Sequence, residues 1–140
     1  MDKSTDELMN ILQNANDTQI LDSVIKDIDK TTDFHSHINA ILLERNISIA
    51  ELQRKSCIDR TYIYQIMDGS RNPGRDKVIA ICLALGIDVT DTVRLLKITG
   101  NAVLYPKNRR DAILIYALNN SIIVSDANRL LESYGEAQLN

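Results

Sequence analysis

The chain has 140 residues, 44% of them hydrophobic and 25% charged, and a net charge of −3, enough for one domain and a small appendage. Five glycines, two prolines and no period-two apolar runs exclude a sheet protein, so an all-α fold is expected. No apolar run nears the ~20 residues that cross a membrane, and the acidic start Met1-Asp2-Lys3-Ser4-Thr5-Asp6-Glu7, with no apolar stretch behind it, does not read as a signal peptide.

Residues 1–32 predict two amphipathic helices. Thr5 is expected to cap a run carrying Leu8, Met9, Ile11 and Leu12, and Asp17 or Thr18 a run carrying Ile20, Leu21, Val24, Ile25 and Ile28. Their outer faces are acidic, which argues against direct DNA contact. Lys30-Thr31-Thr32-Asp33 breaks the pattern before a helix over Phe34 to Arg45, and Asn46-Ile47-Ser48 supplies the next turn and cap.

Residues 48–69 predict two short helices joined by a tight turn. Ser48 and Asp59 stand at the two N-cap positions, where a side-chain oxygen satisfies free amides. Leu52, Ile58, Ile63 and Ile66 have the spacing that closes one helix across the other. Arg60, Thr61, Tyr64 and Gln65 share a solvent-facing stripe at the start of the second helix. Pushed end-first into a major groove, such a helix reads base edges: Arg matches guanine and Gln matches adenine.

Three stretches carry a family resemblance: Asp59-Arg60-Thr61-Tyr62-Ile63-Tyr64-Gln65-Ile66, then Asp68-Gly69-Ser70-Arg71-Asn72-Pro73, then Ile79-Ala80-Ile81-Cys82-Leu83-Ala84-Leu85-Gly86-Ile87. The segment Phe34 to Thr99 resembles a DNA-binding domain of the phage-repressor or XRE type. The resemblance implies an all-α, lambda-repressor-like five-helix bundle over 33–100, with N-terminal helices (1–32) and a C-terminal helical hairpin (101–140) added to it. It also implies that the Gly-x-Arg-x-Pro loop approaches the DNA backbone. Lys55, Tyr62, Arg71, Asn72 and Arg75 are then expected at phosphates, with Ser48 and Ile49 offering a helix N-terminus. Two positions depart from the family pattern: Gln53 stands where a small Ala is usual, and Cys57 where the turn usually has Gly.

Charge is segregated along the chain. Residues 1–33 hold eight acids and three bases, 34–110 seven acids and twelve bases, and 111–140 four acids and one base. The positive charge therefore lies on the segment with the motif, as a phosphate-facing surface requires. It is moderate, so affinity is expected to depend on dimerisation or paired sites.

Beyond Pro73 the chain repeats itself. At an offset of 35, residues 75–104 meet 110–139 with twelve identities over thirty positions, among them Arg75/Arg110, Asp76/Asp111, Leu96/Leu131, Gly100/Gly135 and Leu104/Leu139. Each unit predicts a helical hairpin with Thr90 or Ser125 as an N-cap and Gly100 or Gly135 as a stop. Leu118, Ile122, Val124, Leu130 and Leu131 are expected to pack on residues 76–99. Tyr105, Tyr116, Ile123 and Tyr134 are the residues expected to remain for a second subunit. The run Leu104-Tyr105-Pro106-Lys107-Asn108-Arg109-Arg110-Asp111-Ala112-Ile113 behind such a bundle resembles a group of small bacterial regulators.

Catalytic chemistry is not visible. No carboxylate pair, Gly-rich phosphate loop or partnered nucleophile stands out, and His35 and His37, two apart on a helix, point away from each other. Cys57 and Cys82 have no metal or redox spacing, which fits a reduced, cytoplasmic protein. The sequence thus predicts a cytoplasmic regulator without cofactor that binds double-stranded operator DNA as a homodimer, as a repressor, through residues 60–67. Two other readings share the fold: a protein-interaction adaptor that has lost DNA reading, and an antitoxin that binds both DNA and a toxin; the N- or C-terminal helices are the expected surface for a protein partner.

Overall fold

The computed structural model describes the backbone of residues 4–31 and 33–140, and the side chains of all of these but 26–31. The Ile28 side chain, expected on an apolar face, and Thr32, expected in the break, lie outside the described residues. Among the described residues there are nine helices and no strand: α1 (Thr5–Asn14), α2 (Thr18–Thr31), α3 (Phe34–Arg45), α4 (Ile49–Ser56), α5 (Arg60–Met67), α6 (Arg75–Leu85), α7 (Val89–Ile98), α8 (Arg109–Asn119) and α9 (Val124–Ser133). Among the described residues no helix is long and apolar enough to cross a membrane.

Local hydrogen bonds set most of these boundaries. The Ser48 hydroxyl accepts the Glu51 amide at 3.0 Å and starts α4, and the Asp59 carboxylate accepts the Tyr62 amide at 3.3 Å and starts α5. Asp17 accepts the Ile20 amide at 3.0 Å ahead of α2. Three starts differ from the sequence expectation. Ser4, not Thr5, caps α1 through the Glu7 amide. Asp88, not Thr90, caps α7 through the Asp91 amide, and Ile123 precedes α9 without a side-chain cap. A carboxylate at 88 can both accept an amide three residues on and favour the positive helix end, so it starts the helix two residues earlier than Thr90 would.

One continuous core runs from Phe34 to Leu139. Its centre is α6, which packs against α4, α7, α8 and α9. That explains a helix whose Val78, Ile79, Ala80, Ile81, Cys82 and Leu83 are all buried: with neighbours on every side it has no wet face. Leu52, Ile58, Ile63 and Ile66 close α4 across α5 and are at most 1% exposed. In the N-terminal pair, Val24 is buried but stands outside that core, while Met9, Leu12, Ile20, Leu21 and Ile25 are exposed.

Cys82 sits in the middle of α6, and burial pushes its thiol up to about 12. Cys57 is exposed. A thiol-reactive reagent at neutral pH is therefore expected to modify one thiol in the folded protein and two in denaturant. Counting modified thiols by mass spectrometry checks this, and rapid native modification of Cys82 would contradict the packing of α6.

The repeat packs upon itself with exchanged partners. Arg75 of the first unit pairs with Asp111 of the second at 2.8 Å, and Arg110 of the second pairs with Asp76 of the first at 2.9 Å. Each arginine also binds the tail of its own unit: Arg75 Nε donates to the Ala102 carbonyl at 2.8 Å, and Arg110 Nε to the Ala137 carbonyl at 2.9 Å. Likewise α6 meets α9 while α7 meets α8. This reciprocity is what a two-fold relation produces, here between two repeat units of one chain. Leu118, Val124 and Leu131 are buried in the core as expected and Ile122 packs against it, but Leu130 is only half-buried and stands outside that core. Tyr105, Tyr116, Ile123 and Tyr134 stay 54–59% exposed.

Candidate nucleic-acid interface

The α5 helix divides cleanly. Ile63, Ile66 and Met67 are buried against the bundle, while Arg60, Thr61 and Tyr64 are in solvent and Gln65 is half-buried. The four expected base-reading residues thus lie on the face turned from the core. The Arg60 guanidinium stands over the Tyr64 ring, 5.6 Å from its centroid, which places cation and hydroxyl one helical turn apart on one edge.

The loop after α5 brings phosphate-type and base-type residues into contact. Arg71 Nε donates to Gln65 Oε1 at 2.8 Å, and the same guanidinium lies over the Tyr62 ring, 4.7 Å from its centroid. Lys77 reaches the same ring at 5.4 Å. Tyr62 is therefore a platform packed against the core with two cations on it. Lys77 was not singled out in the sequence; its signal was its place in the first turn of α6, directly after the loop.

The loop itself is built around Gly69. Its φ is +85°, and a Cβ there would lie 2.6 Å from the His35 ring, so backbone strain and close approach both demand glycine. His35 in turn pairs with Asp33 at 2.5 Å. The Asp68 carboxyl is held below its usual value by hydrogen bonds from Ser70, first from the side chain and then from the backbone amide. His37 lines a different groove, with Asp88 and Asp91, so the two histidines serve separate contacts.

At the other expected phosphate positions, Ser48 uses its hydroxyl as the α4 cap, and half-buried Ile49 begins that helix. Lys55 is exposed with Glu51 at 3.4 Å. Asn72 commits an amide hydrogen to the Thr99 carbonyl at 2.9 Å. Arg75 has partners within the chain. Its guanidinium donates to both Asp111 oxygens and to the Ala102 and Val103 carbonyls, four of the five N–H groups an arginine has, so it ties the two hairpins together. Its carboxylate partner is 36 residues away, beyond any local spacing in the sequence.

The turn between α4 and α5 explains the two departures from the family pattern. Cys57 adopts a left-handed conformation, φ 59° and ψ 21°. Gln53 Nε2 donates to the Ile58 carbonyl at 2.7 Å, a bond the usual Ala could not make. The Ser56 hydroxyl donates to the Gln53 carbonyl at 3.2 Å and accepts the Ile58 amide at 3.4 Å. The turn is thus closed by side chains.

Two helices crossed over a tight turn, with the second presenting a cation, a hydroxyl and an amide outward, define a helix-turn-helix DNA-binding unit. Residues 38–91 match the family model described as helix-turn-helix. No curated protein and no solved structure matches the chain. The family match takes in α4, α5 and α6 and leaves out α1, α2, α8 and α9.

Proposed function

We propose that this chain is a sequence-specific transcriptional regulator, a repressor in the cytoplasm, that binds operator DNA as a homodimer. Arg60, Thr61, Tyr64 and Gln65 face base edges, and Lys55, Tyr62, Arg71 and Asn72 face phosphates, with the start of α4 at Ser48 and Ile49 against the backbone. Lys77 joins that set and Arg75 leaves it. Two copies would set their α5 helices one DNA turn, ~34 Å, apart. The observation that supports this most is the link from Arg71 to Gln65: a loop cation and a base-reading amide share one hydrogen bond, so phosphate contact orients the reader.

Selection from a random duplex library by the full chain, followed by binding at two salt concentrations, tests this. A single enriched near-palindrome is expected; no enrichment would leave the fold without its function. Arg71→Ala is expected to weaken binding to all duplexes and to lower the salt slope by about one. A loss confined to one sequence with the slope unchanged would make Arg71 a base reader.

The adaptor reading keeps one specific support, the exposed apolar residues of α1 and α2 together with Ile123 on the second hairpin. It predicts a protein that binds a partner and enriches no DNA sequence.

A further inference from the structure

The segment after α9 returns to the helix-turn-helix. Asn140 Nδ2 donates to the Ser56 carbonyl at 3.1 Å and to the Cys57 carbonyl at 2.8 Å. Its Oδ1 accepts Asn128 Nδ2 at 2.9 Å, so the whole carboxamide is engaged. The Leu139 amide donates to Asn128 Oδ1 at 2.8 Å, and the Leu139 side chain is 3% exposed in the core. The tail is therefore seated by an apolar anchor and an Asn–Asn pair, and its amide ends on the turn between α4 and α5.

That turn needs support. The last carbonyls of a helix have no partner within it, and a glycine in the left-handed position usually lets the chain fold back and satisfy them. Here the left-handed residue is Cys57, whose Cβ opposes that conformation by about 1 kcal/mol. Gln53 satisfies the carbonyl of Ile58, and Asn140 satisfies those of Ser56 and Cys57.

We propose that Asn140 is a positioning residue for DNA reading: reaching across 83 residues, it holds closed a turn that the family closes with glycine, and so sets α5 on its groove-facing course. This rests on the DNA-reading function proposed above. It makes the C-terminal hairpin a working part of the recognition motif. Its physical content is a population: without the tail, fewer molecules have the turn closed, and apparent affinity falls with that fraction.

The test is a double-mutant cycle in the full chain between Asn140→Ala and Cys57→Gly. In the Cys57 background, Asn140→Ala is expected to speed hydrogen exchange at the amides of residues 57–60 by about fivefold and to weaken binding to a duplex selected by the wild type by a similar factor. In the Cys57→Gly background, where the left-handed turn is unstrained, both effects should shrink below about twofold. Asn128→Ala, which unseats the tail and leaves Asn140 intact, should follow the same pattern. Unchanged exchange in Asn140→Ala overturns the proposal. So does an effect equally large with glycine at 57, since it would mark general stability, and so does altered exchange with unaltered DNA affinity. If the wild type selects no duplex, the DNA function fails, and the exchange cycle still judges the clamp.

Discussion

Arg60→Ala is expected to lower affinity for the selected operator by about 1–3 kcal/mol while leaving binding to unrelated duplexes nearly unchanged. Arg60 is the first residue of α5, exposed and stacked on Tyr64, so its guanidinium is pre-oriented where the helix would enter the groove. A bidentate fork to guanine depends on shape as well as charge. Arg60→Lys should therefore retain non-specific binding and still lose most of the discrimination. The helix start depends on Asp59 and the inward residues Ile63 and Ile66, so thermal stability should move by less than about 0.5 kcal/mol. Fluorescence anisotropy on selected and scrambled duplexes gives the ratio directly. An alanine variant as tight and as selective as the wild type would remove α5 from the role of recognition helix.

Asp111→Ala is expected to destabilise the whole domain by about 3 kcal/mol, a fall in Tm of about 10 °C. Asp111 is 5% exposed and accepts both Arg75 guanidinium nitrogens at 2.8 Å and the Tyr105 amide at 3.0 Å. Removing it leaves a cation facing only carbonyls. The low end of the range for buried pairs applies because the Arg75 side chain keeps 24% of its surface in water. Asp76→Ala should cost nearer 1 kcal/mol, because Asp76 is far more exposed than Asp111. The pH dependence has a fixed sign. Burial pushes the Asp111 carboxyl up, but the hydrogen bonds from Arg75 and Tyr105 and the charges of Arg75 and Arg110 outweigh it and hold the group below its usual value. A carboxyl depressed by folding stabilises fully above its unfolded value, near pH 4, and that contribution disappears as pH falls through the lower folded value. The stability gap between the wild type and Asp111→Ala should therefore narrow below about pH 4. A gap that stays constant down to pH 2 would show that the lost stability comes from packing instead of charge.

Much of this protein is written in short-range chemistry. The bounds of α3 and α5, the caps at Ser48 and Asp59, the inward set Leu52, Ile58, Ile63 and Ile66, and the two-unit repeat all follow from residues at most a few positions apart or from self-similarity. Such features are legible because a cap reaches three residues and an apolar stripe recurs every three or four. The all-α class and the outward position of Arg60, Thr61 and Tyr64 were determined in the same way. Where two nearby side chains could each cap, as at Ser4 and Thr5 or Asp88 and Thr90, periodicity alone could not choose, since both starts leave the same stripe inward. The tertiary structure decided what long-range partners take up. Arg75 resembles a phosphate ligand in sequence and becomes the lock between hairpins because Asp111 arrives beside it. The carbonyl of Cys57, a left-handed residue that is not glycine, is held by an amide 83 residues away. These pairings depend on the direction in which the second hairpin crosses the first, and that direction comes from how buried faces interlock, which no linear spacing records.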